Sequence, residues 1–198
     1  MNKLKVMTIV GTRPEIIKLS EVMKELDRYV DHIIVHTGQN YDYELNELFF
    51  EQLQIRKPNI FLEAVKGSPS ETIGDIIAKA DRVFDEIKPD ALLIYGDTNS
   101  CLSVISAKKR KIPIFHMEAG LRAWDRRMPE QRNRILIDHM SDILLPYNQY
   151  HRENLIRENI HPSKIFCTGN TTFEVMRAFA PQINDSDILS RLGLSSKG

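Results

Sequence analysis

Cysteine is scarce in this chain. Only Cys101 and Cys167 are present, far apart and without C-x-x-C spacing, so neither a disulfide framework nor a cysteine zinc site is indicated. A surplus of either charge is also missing: 27 Lys and Arg against 27 Asp and Glu give a formal net charge of zero. A dedicated nucleic-acid binder carries a strong positive field, so that class is not expected. No apolar run approaches the roughly 18 residues that would span a membrane. The first such run, Leu4 to Val10, is interrupted by Lys5 and stops at Gly11-Thr12-Arg13-Pro14 with no small-residue cleavage pattern, so no signal peptide is expected. Internal repeats and low-complexity tracts are absent as well. What remains is 198 residues, 42% of them hydrophobic, which is enough for a real core and excludes disorder. The expected class is a soluble, cytoplasmic α/β protein.

Short apolar runs alternate with longer helical stretches. The strand candidates are Leu4–Val10, His32–Thr37, Ala91–Tyr95, Ile112–Met117, Ile143–Pro146 and Ile165–Thr168. Between them, Ile16, Leu19, Val22, Met23 and Leu26, and later Ile73, Ile76, Ile77, Ala80 and Val83, recur at helical spacing. Strands separated by helices of this length predict βαβ units and a parallel sheet. Near-continuous apolar strands such as Ala91-Leu92-Leu93-Ile94 predict helices on both faces. The expected fold is therefore a Rossmann-like, doubly wound parallel sheet. The basic run Lys108-Lys109-Arg110-Lys111 reads as a helix C-terminus whose cations complement the dipole. After a helix near residues 171–180, residues 181–198 read as a linker leading out of the domain.

In open parallel sheets, ligands bind beyond the carboxyl ends of the strands. The segments at those positions are Gly11-Thr12-Arg13-Pro14-Glu15, Thr37-Gly38-Gln39-Asn40, Gly96-Asp97-Thr98-Asn99, Glu118-Ala119-Gly120-Leu121-Arg122 and Thr168-Gly169-Asn170-Thr171. Glycine permits tight turns and a close approach of backbone to ligand. A purely structural fold needs such turns, but not this concentration of Arg, Asp, Glu and Asn within them. The first segment opens a helix, with Pro14 suited to its first turn; the free amides there favour an anion such as phosphate. Arg13 adds a cationic fork and Lys18 follows one turn later. The segment is neither G-x-G-x-x-G nor a Walker A sequence, which sets NAD and ATP aside.

Three carboxylates follow the strands: Asp97, Glu118 and, behind a loop rich in arginine (Arg122, Arg126, Arg127), Glu130. Each has a structural alternative. Asp97 and Glu118 suit helix caps, and Glu130 suits a pair with Arg134 four residues on. Three acids on one sheet edge, opposite a phosphate-type loop, instead favour acid/base work beside a phosphorylated ligand. The histidines have no metal-ligand spacing, so no metal is expected. Neither a G-x-S-x-G elbow nor a context for a cysteine nucleophile exists.

The segments Gly11-Thr12-Arg13-Pro14-Glu15 with Lys18, Gly96-Asp97-Thr98, Glu118-Ala119-Gly120-Leu121-Arg122, Pro129-Glu130 with Asn133-Arg134, and Thr168-Gly169-Asn170-Thr171 together resemble the non-hydrolysing UDP-N-acetylglucosamine 2-epimerases. The resemblance runs over residues 11 to 171. It implies the N-terminal half of a two-domain fold of the glycosyltransferase B type, with residues 1–180 as the Rossmann-like domain and 181–198 leading to an absent C-terminal UDP-binding domain. It implies Asp97, Glu118 and Glu130 as catalytic acids, and Arg13, Lys18, Gln39, Arg122, Arg134 and Asn170 as substrate-binding residues. A UDP-sugar partner, no redox cofactor, no metal and a homodimer of the full-length form are expected with it. Two segments depart from the glucosamine-specific pattern, namely Thr37-Gly38-Gln39-Asn40-Tyr41-Asp42-Tyr43 and Ala123-Trp124-Asp125-Arg126-Arg127-Met128. Both resemble the branch that acts on a UDP-linked 6-deoxy sugar for capsule or O-antigen. A glycosyltransferase of the same architecture and a non-catalytic sugar-nucleotide-binding fragment are the competing readings.

Overall fold

A computed structural model describes residues 3–38, 43–64, 67–125 and 127–194, with the backbone alone for 43–47. Six strands form one sheet: β1 (Lys5–Val10), β2 (Asp31–His36), β3 (Ile60–Phe61), β4 (Ala91–Tyr95), β5 (Ile114–Met117) and β6 (Ile143–Leu145). Their order across the sheet is β3-β2-β1-β4-β5-β6, and every pairing is parallel. The chain winds outward one way from β1 and the other way from β4. A crevice therefore opens between the carboxyl ends of those two neighbours.

Alternation along each buried strand supplies two apolar faces. Leu92 and Ile94 of β4 join Met7, Ile9, Ala80 and Phe84 on one side; Leu93 and Tyr95 join Val10, Ile16, Leu19 and Met23 on the other. Helix α1 (Arg13–Tyr29) covers the second face, and α3 (Pro69–Ile87) covers the first with Ile76, Ala80 and Phe84. Ser68 and Glu71 fix the start of α3 by a reciprocal capping box. Helix α2 (Tyr43–Gln52) adds Phe50 to the second face. Helices α4 (Val104–Lys109) and α5 (Pro129–Met140) connect β4 to β5 and β5 to β6, and α6 (Gln149–Arg157) follows β6.

The sheet departs from expectation at its edges. Strand β3 is only two residues long, too short for period-2 alternation to register. Residues 165–168 form no strand. Phe166 N and Thr168 N donate to Leu144 O and Pro146 O, yet only Ile165 makes a ladder bridge, and residues 166–168 are exposed. Strand β5 begins at Ile114 because Pro113, without an N–H, cannot extend the ladder. The basic run does close α4: Lys108 pairs with Asp142, and Arg110 with Asp81 and Asp85. After α7 (Thr171–Ala178), residues 180–194 carry two short helices, α8 (Ala180–Asn184) and α9 (Ile188–Arg191). Ile183, Ile188, Leu189, Leu192 and Leu194 are all exposed there. Among the described residues, no helix is long and apolar enough to cross a membrane.

Candidate active site

The loop after β1 enters α1 through Thr12, with Pro14 in the first turn. The anion at this helix N-terminus is the protein's own Glu15. One of its oxygens, Oε2, accepts from Gly11 N (2.8 Å), Thr12 N (2.7 Å) and the Thr12 hydroxyl (3.0 Å). The other accepts from Thr98 (2.7 Å) and Ser100 (2.5 Å) in the loop after β4. Burial pushes the Glu15 carboxyl up, while these donors oppose the shift. The free amides expected to hold a phosphate are thus partly occupied, and Glu15 instead laces the β1 and β4 loops together across the crevice. The sequence signal was a T-x-x-E capping pattern.

Arg13 stands beside this link, half exposed. Its guanidinium lies 5.6 Å from the centre of the Phe49 ring, and its Nε is buried with no partner. A buried guanidinium donor without an acceptor is uncommon and suits an arriving anion.

The acids collect at the ends of β4 and β5. Glu118 follows β5 directly and is buried with a left-handed backbone, φ +65°, which only surrounding contacts hold in place. Those contacts are numerous. Arg134, buried on α5, donates to Glu118 O (2.7 Å), Glu118 Oε1 (2.9 Å) and Asp97 Oδ2 (2.5 Å). Lys18 reaches Glu118 Oε2 at 3.0 Å from α1, and its Nζ also lies 5.3 Å from the centre of the Tyr95 ring. Tyr147 donates to the same carboxylate oxygen at 2.5 Å. Burial alone would raise Glu118, but Arg134, Tyr147 and Lys18 override it and hold the carboxyl down at about 2. Asp97 moves the other way. Burial raises it, the Arg134 charge opposes this, and the Glu118 and Glu130 charges add to the rise. Asn133 fixes the backbone here by donating to Asp97 O.

The structure therefore brings Lys18, Asp97, Glu118 and Arg134 together, with Arg13 beside the β1 loop. Glu130 lies exposed in the first turn of α5. Among the described residues it makes no ion pair, and Arg134, expected to bind substrate and offered only as an alternative helical partner, is committed to Asp97 and Glu118. Arg122 goes to the scaffold: its buried guanidinium pairs with Glu158 (2.5 Å) and Asp138 (2.8 Å), leaving none of its side chain exposed for a substrate. Asn170 caps α7, accepting from Thr172 N, and lines a cavity of about 770 Å³ between α1 and α7 with Val22, Phe173 and Arg177. None of its contacts is with the acid cluster. Gln39 and Arg126 lie outside the described residues. Tyr95, Tyr147 and the ring of His151, packed on Tyr147, complete the site; no sequence motif pointed to them. Cys101, buried against Tyr95 O and Glu15, has its thiol pushed far up by burial and is no nucleophile. Among the described residues, no three His, Cys, Asp or Glu side chains gather as a metal site.

A family model described as UDP-N-acetylglucosamine 2-epimerase matches residues 24–196. The chain belongs to this family. It is 41% identical over 197 residues to a UDP-N-acetylglucosamine 2-epimerase homolog of Methanococcus maripaludis, covering 98% of this chain and 55% of that protein. A structure of UDP-N-acetylglucosamine 2-epimerase from Rickettsia bellii superposes with a TM-score of 0.93 at 53% identity, covering 98% of this chain and 52% of that one. The Methanocaldococcus jannaschii UDP-GlcNAc 2-epimerase, solved in complex with UDP-GlcNAc and UDP, gives 0.89 at 36% identity over 96% of this chain and 53% of that one. The chain spans about half the length of the curated relatives it matches. The Rossmann-like fold read from periodicity is the fold these epimerases share with it.

Proposed function

We propose that this chain forms half of a UDP-2-acetamido-sugar 2-epimerase that works by eliminating and re-adding UDP. The observation that carries the reading is the cluster of Asp97, Glu118, Lys18 and Arg134 at the switch point of the sheet, beside the unpaired Nε of Arg13. C2 of a 2-acetamido sugar is not next to a carbonyl, so direct removal of its proton is too difficult. Expelling UDP across C1–C2 instead leaves a glycal, with the C2 proton taken by a carboxylate and the C1–O electron pair leaving on UDP. Protonation at the opposite face of C2, with UDP returning to C1, inverts that centre. Cations for the leaving diphosphate are Arg13 and Lys18; proton carriers are drawn from Asp97, Glu118 and Glu130. The steps call for neither a redox cofactor nor a metal.

The substrate is of the UDP-GlcNAc/UDP-ManNAc type, or the UDP-2-acetamido-2,6-dideoxy-L-talose that yields UDP-L-FucNAc; Ala123-Trp124-Asp125 and Asn40-Tyr41-Asp42 support the second. Gln39 and Asn170 remain proposed substrate contacts. A C-terminal domain reached through residues 181–198 supplies the other wall of the cleft, in a cytoplasmic homodimer that serves bacterial surface-polysaccharide synthesis. The test is proton NMR of UDP-aminosugars with the full-length protein in deuterium oxide. Deuterium entering C2, with the C2 epimer accumulating, is expected. Transfer of the sugar to an acceptor without exchange at C2 would overturn the reading. The 198-residue chain alone should give little or no exchange.

A further inference from the structure

Tyr147 belongs to none of the strand-end motifs, yet it reaches the middle of the acid cluster. It sits in the loop after β6, and its phenol donates to Glu118 Oε2 at 2.5 Å. The same phenol touches the hydroxyl of Tyr95, the last residue of β4. A phenol has one proton to give. Glu118 takes that of Tyr147, so Tyr95 must donate to Tyr147, and a line of hydroxyls runs from Tyr95 through Tyr147 to the carboxylate. Burial, together with the Glu118 charge, pushes both phenols up, which keeps both as donors.

We propose that Tyr147 is a positioning residue: oriented by Tyr95, it holds Glu118 as an aimed anion and so leaves proton exchange to the neighbouring acids, Asp97 among them. Glu118 receives Arg134 on one oxygen and Lys18 with Tyr147 on the other, over a strained backbone that Arg134 also anchors. A carboxylate so fully supplied with donors is a poor base. Among the described residues Asp97 has one cationic partner, Arg134, and its carboxyl is pushed up, which suits a group that takes and returns a proton. Among the described residues, Glu118 is also faced by the Tyr95 hydroxyl from the end of β4, the Asp97 charge from the β4 loop and His151 on α6; Glu130 acts on Asp97 from α5. In the proton balance, one acid accepts the C2 proton as UDP departs with the C1–O electron pair. Another donates to the opposite face as UDP returns, and Glu118 keeps its charge throughout. Only that last assignment rests on the epimerase reading; the hold on Glu118 does not.

The experiment is carbon-13 NMR of the side-chain carboxyl of Glu118 in the full-length protein without substrate, from pH 2.5 to 7, with Glu118→Gln as the assignment control. In the wild type the signal should still be mostly that of a carboxylate at the lowest pH, with its midpoint below the window. In Tyr147→Phe it should titrate inside the window, with the midpoint about one pH unit higher, a tenfold gain in proton affinity. Tyr95→Phe, which removes the hydroxyl that orients Tyr147 and itself bears more weakly on Glu118, should move the midpoint the same way by less, and it serves if Tyr147→Phe does not fold. A folded Tyr147→Phe or Tyr95→Phe protein with the wild-type titration overturns the proposal. The deuterium-exchange assay then reads the functional half separately: kcat should fall in Tyr147→Phe with KM for the UDP-sugar held within about twofold. An unchanged kcat beside a shifted midpoint would remove the role while leaving the contact. Absence of exchange in the wild type would instead fault the epimerase reading.

Discussion

Two clusters of opposed charges lie side by side at the carboxyl edge of β4 and β5, and they are built differently. Behind the crevice, Asp138 receives His116 (2.8 Å), Arg122 (2.8 Å) and Gly120 N (3.2 Å), while His116 also contacts Gly96 O. The side chains of His116, Arg122 and Asp138 are wholly sealed from solvent. Burial would raise Asp138, yet His116 and Arg122 together hold it below its usual range. In the crevice, Lys18 and Asp97 remain 33% and 21% exposed, and the two acids are pushed in opposite directions. The sealed cluster pins the backbone at Gly96 and Gly120, next to Asp97 and Glu118. Complete pairing without exposure makes a scaffold. Incomplete pairing at the rim leaves groups free to meet a ligand.

The sharpest way to break this contrast is Asp138→Ala. It leaves His116 and Gly120 N without their acceptor and takes one of Arg122's two carboxylates out of a closed site, which should cost about 3–5 kcal/mol, read from the urea midpoint. A loss below 1 kcal/mol would mean the sealed cluster carries no structure.

Glu118→Gln tests the open cluster by pH. Because the folded carboxyl sits at about 2 instead of 4.5, its contribution is present above pH 4.5 and disappears as pH falls through 2. At neutral pH that shift corresponds to about 3 kcal/mol. The variant's stability should change less than the wild type's between pH 4.5 and 2. Asp97→Asn has the opposite sign, since a raised carboxyl is a burden on the fold once ionised. This variant should melt no lower than the wild type at pH 7, while C2 exchange by the full-length protein falls about 10²-fold. A loss of both together would make Asp97 a scaffold residue.

Arg13→Ala should weaken UDP and UDP-sugar alike by about 1.5–3 kcal/mol in calorimetric titration, because the diphosphate is common to both. Equal affinities in variant and wild type would remove Arg13 from the site. Glu130→Gln should shift stability least, by under about 0.5 kcal/mol, since no described partner is lost. Its exchange rate then reports chemistry alone, and a wild-type rate would take Glu130 out of the proton path.

Much of this was legible in the sequence because it depends on local pattern. Apolar runs marked β1 and β4, helical spacing marked α1 and α3, and position after a strand marked Asp97 and Glu118. What stayed hidden depends on partners distant along the chain. Arg122 reads as a substrate arginine until Glu158 and Asp138 close around it. Arg134 reads as a substrate-binding residue, with a helical pair to Glu130 as its structural alternative, until the fold offers it Asp97 and Glu118. Glu15 is only one letter of a phosphate-type loop in the sequence, and nothing local announces that its second oxygen belongs to Thr98 and Ser100. Tyr147 carries no motif because one hydroxyl contact leaves no periodicity behind.

The links across the crevice also bear on the order of folding. Glu15 meets Thr98 over a separation of 83 residues, and Lys18 meets Glu118 over 100. Loop closure over such spans is slow compared with forming a hairpin or a helix, and it brings no reward until both strands are already seated. The crevice should therefore be assembled in the closing stage of folding, after β1 with α1 and β4 with β5 exist as separate units. Refolding chains should regain helical circular dichroism before the Tyr95 and Tyr147 environment in the near ultraviolet, and the interval between the two measures how long the site exists only as two unjoined halves.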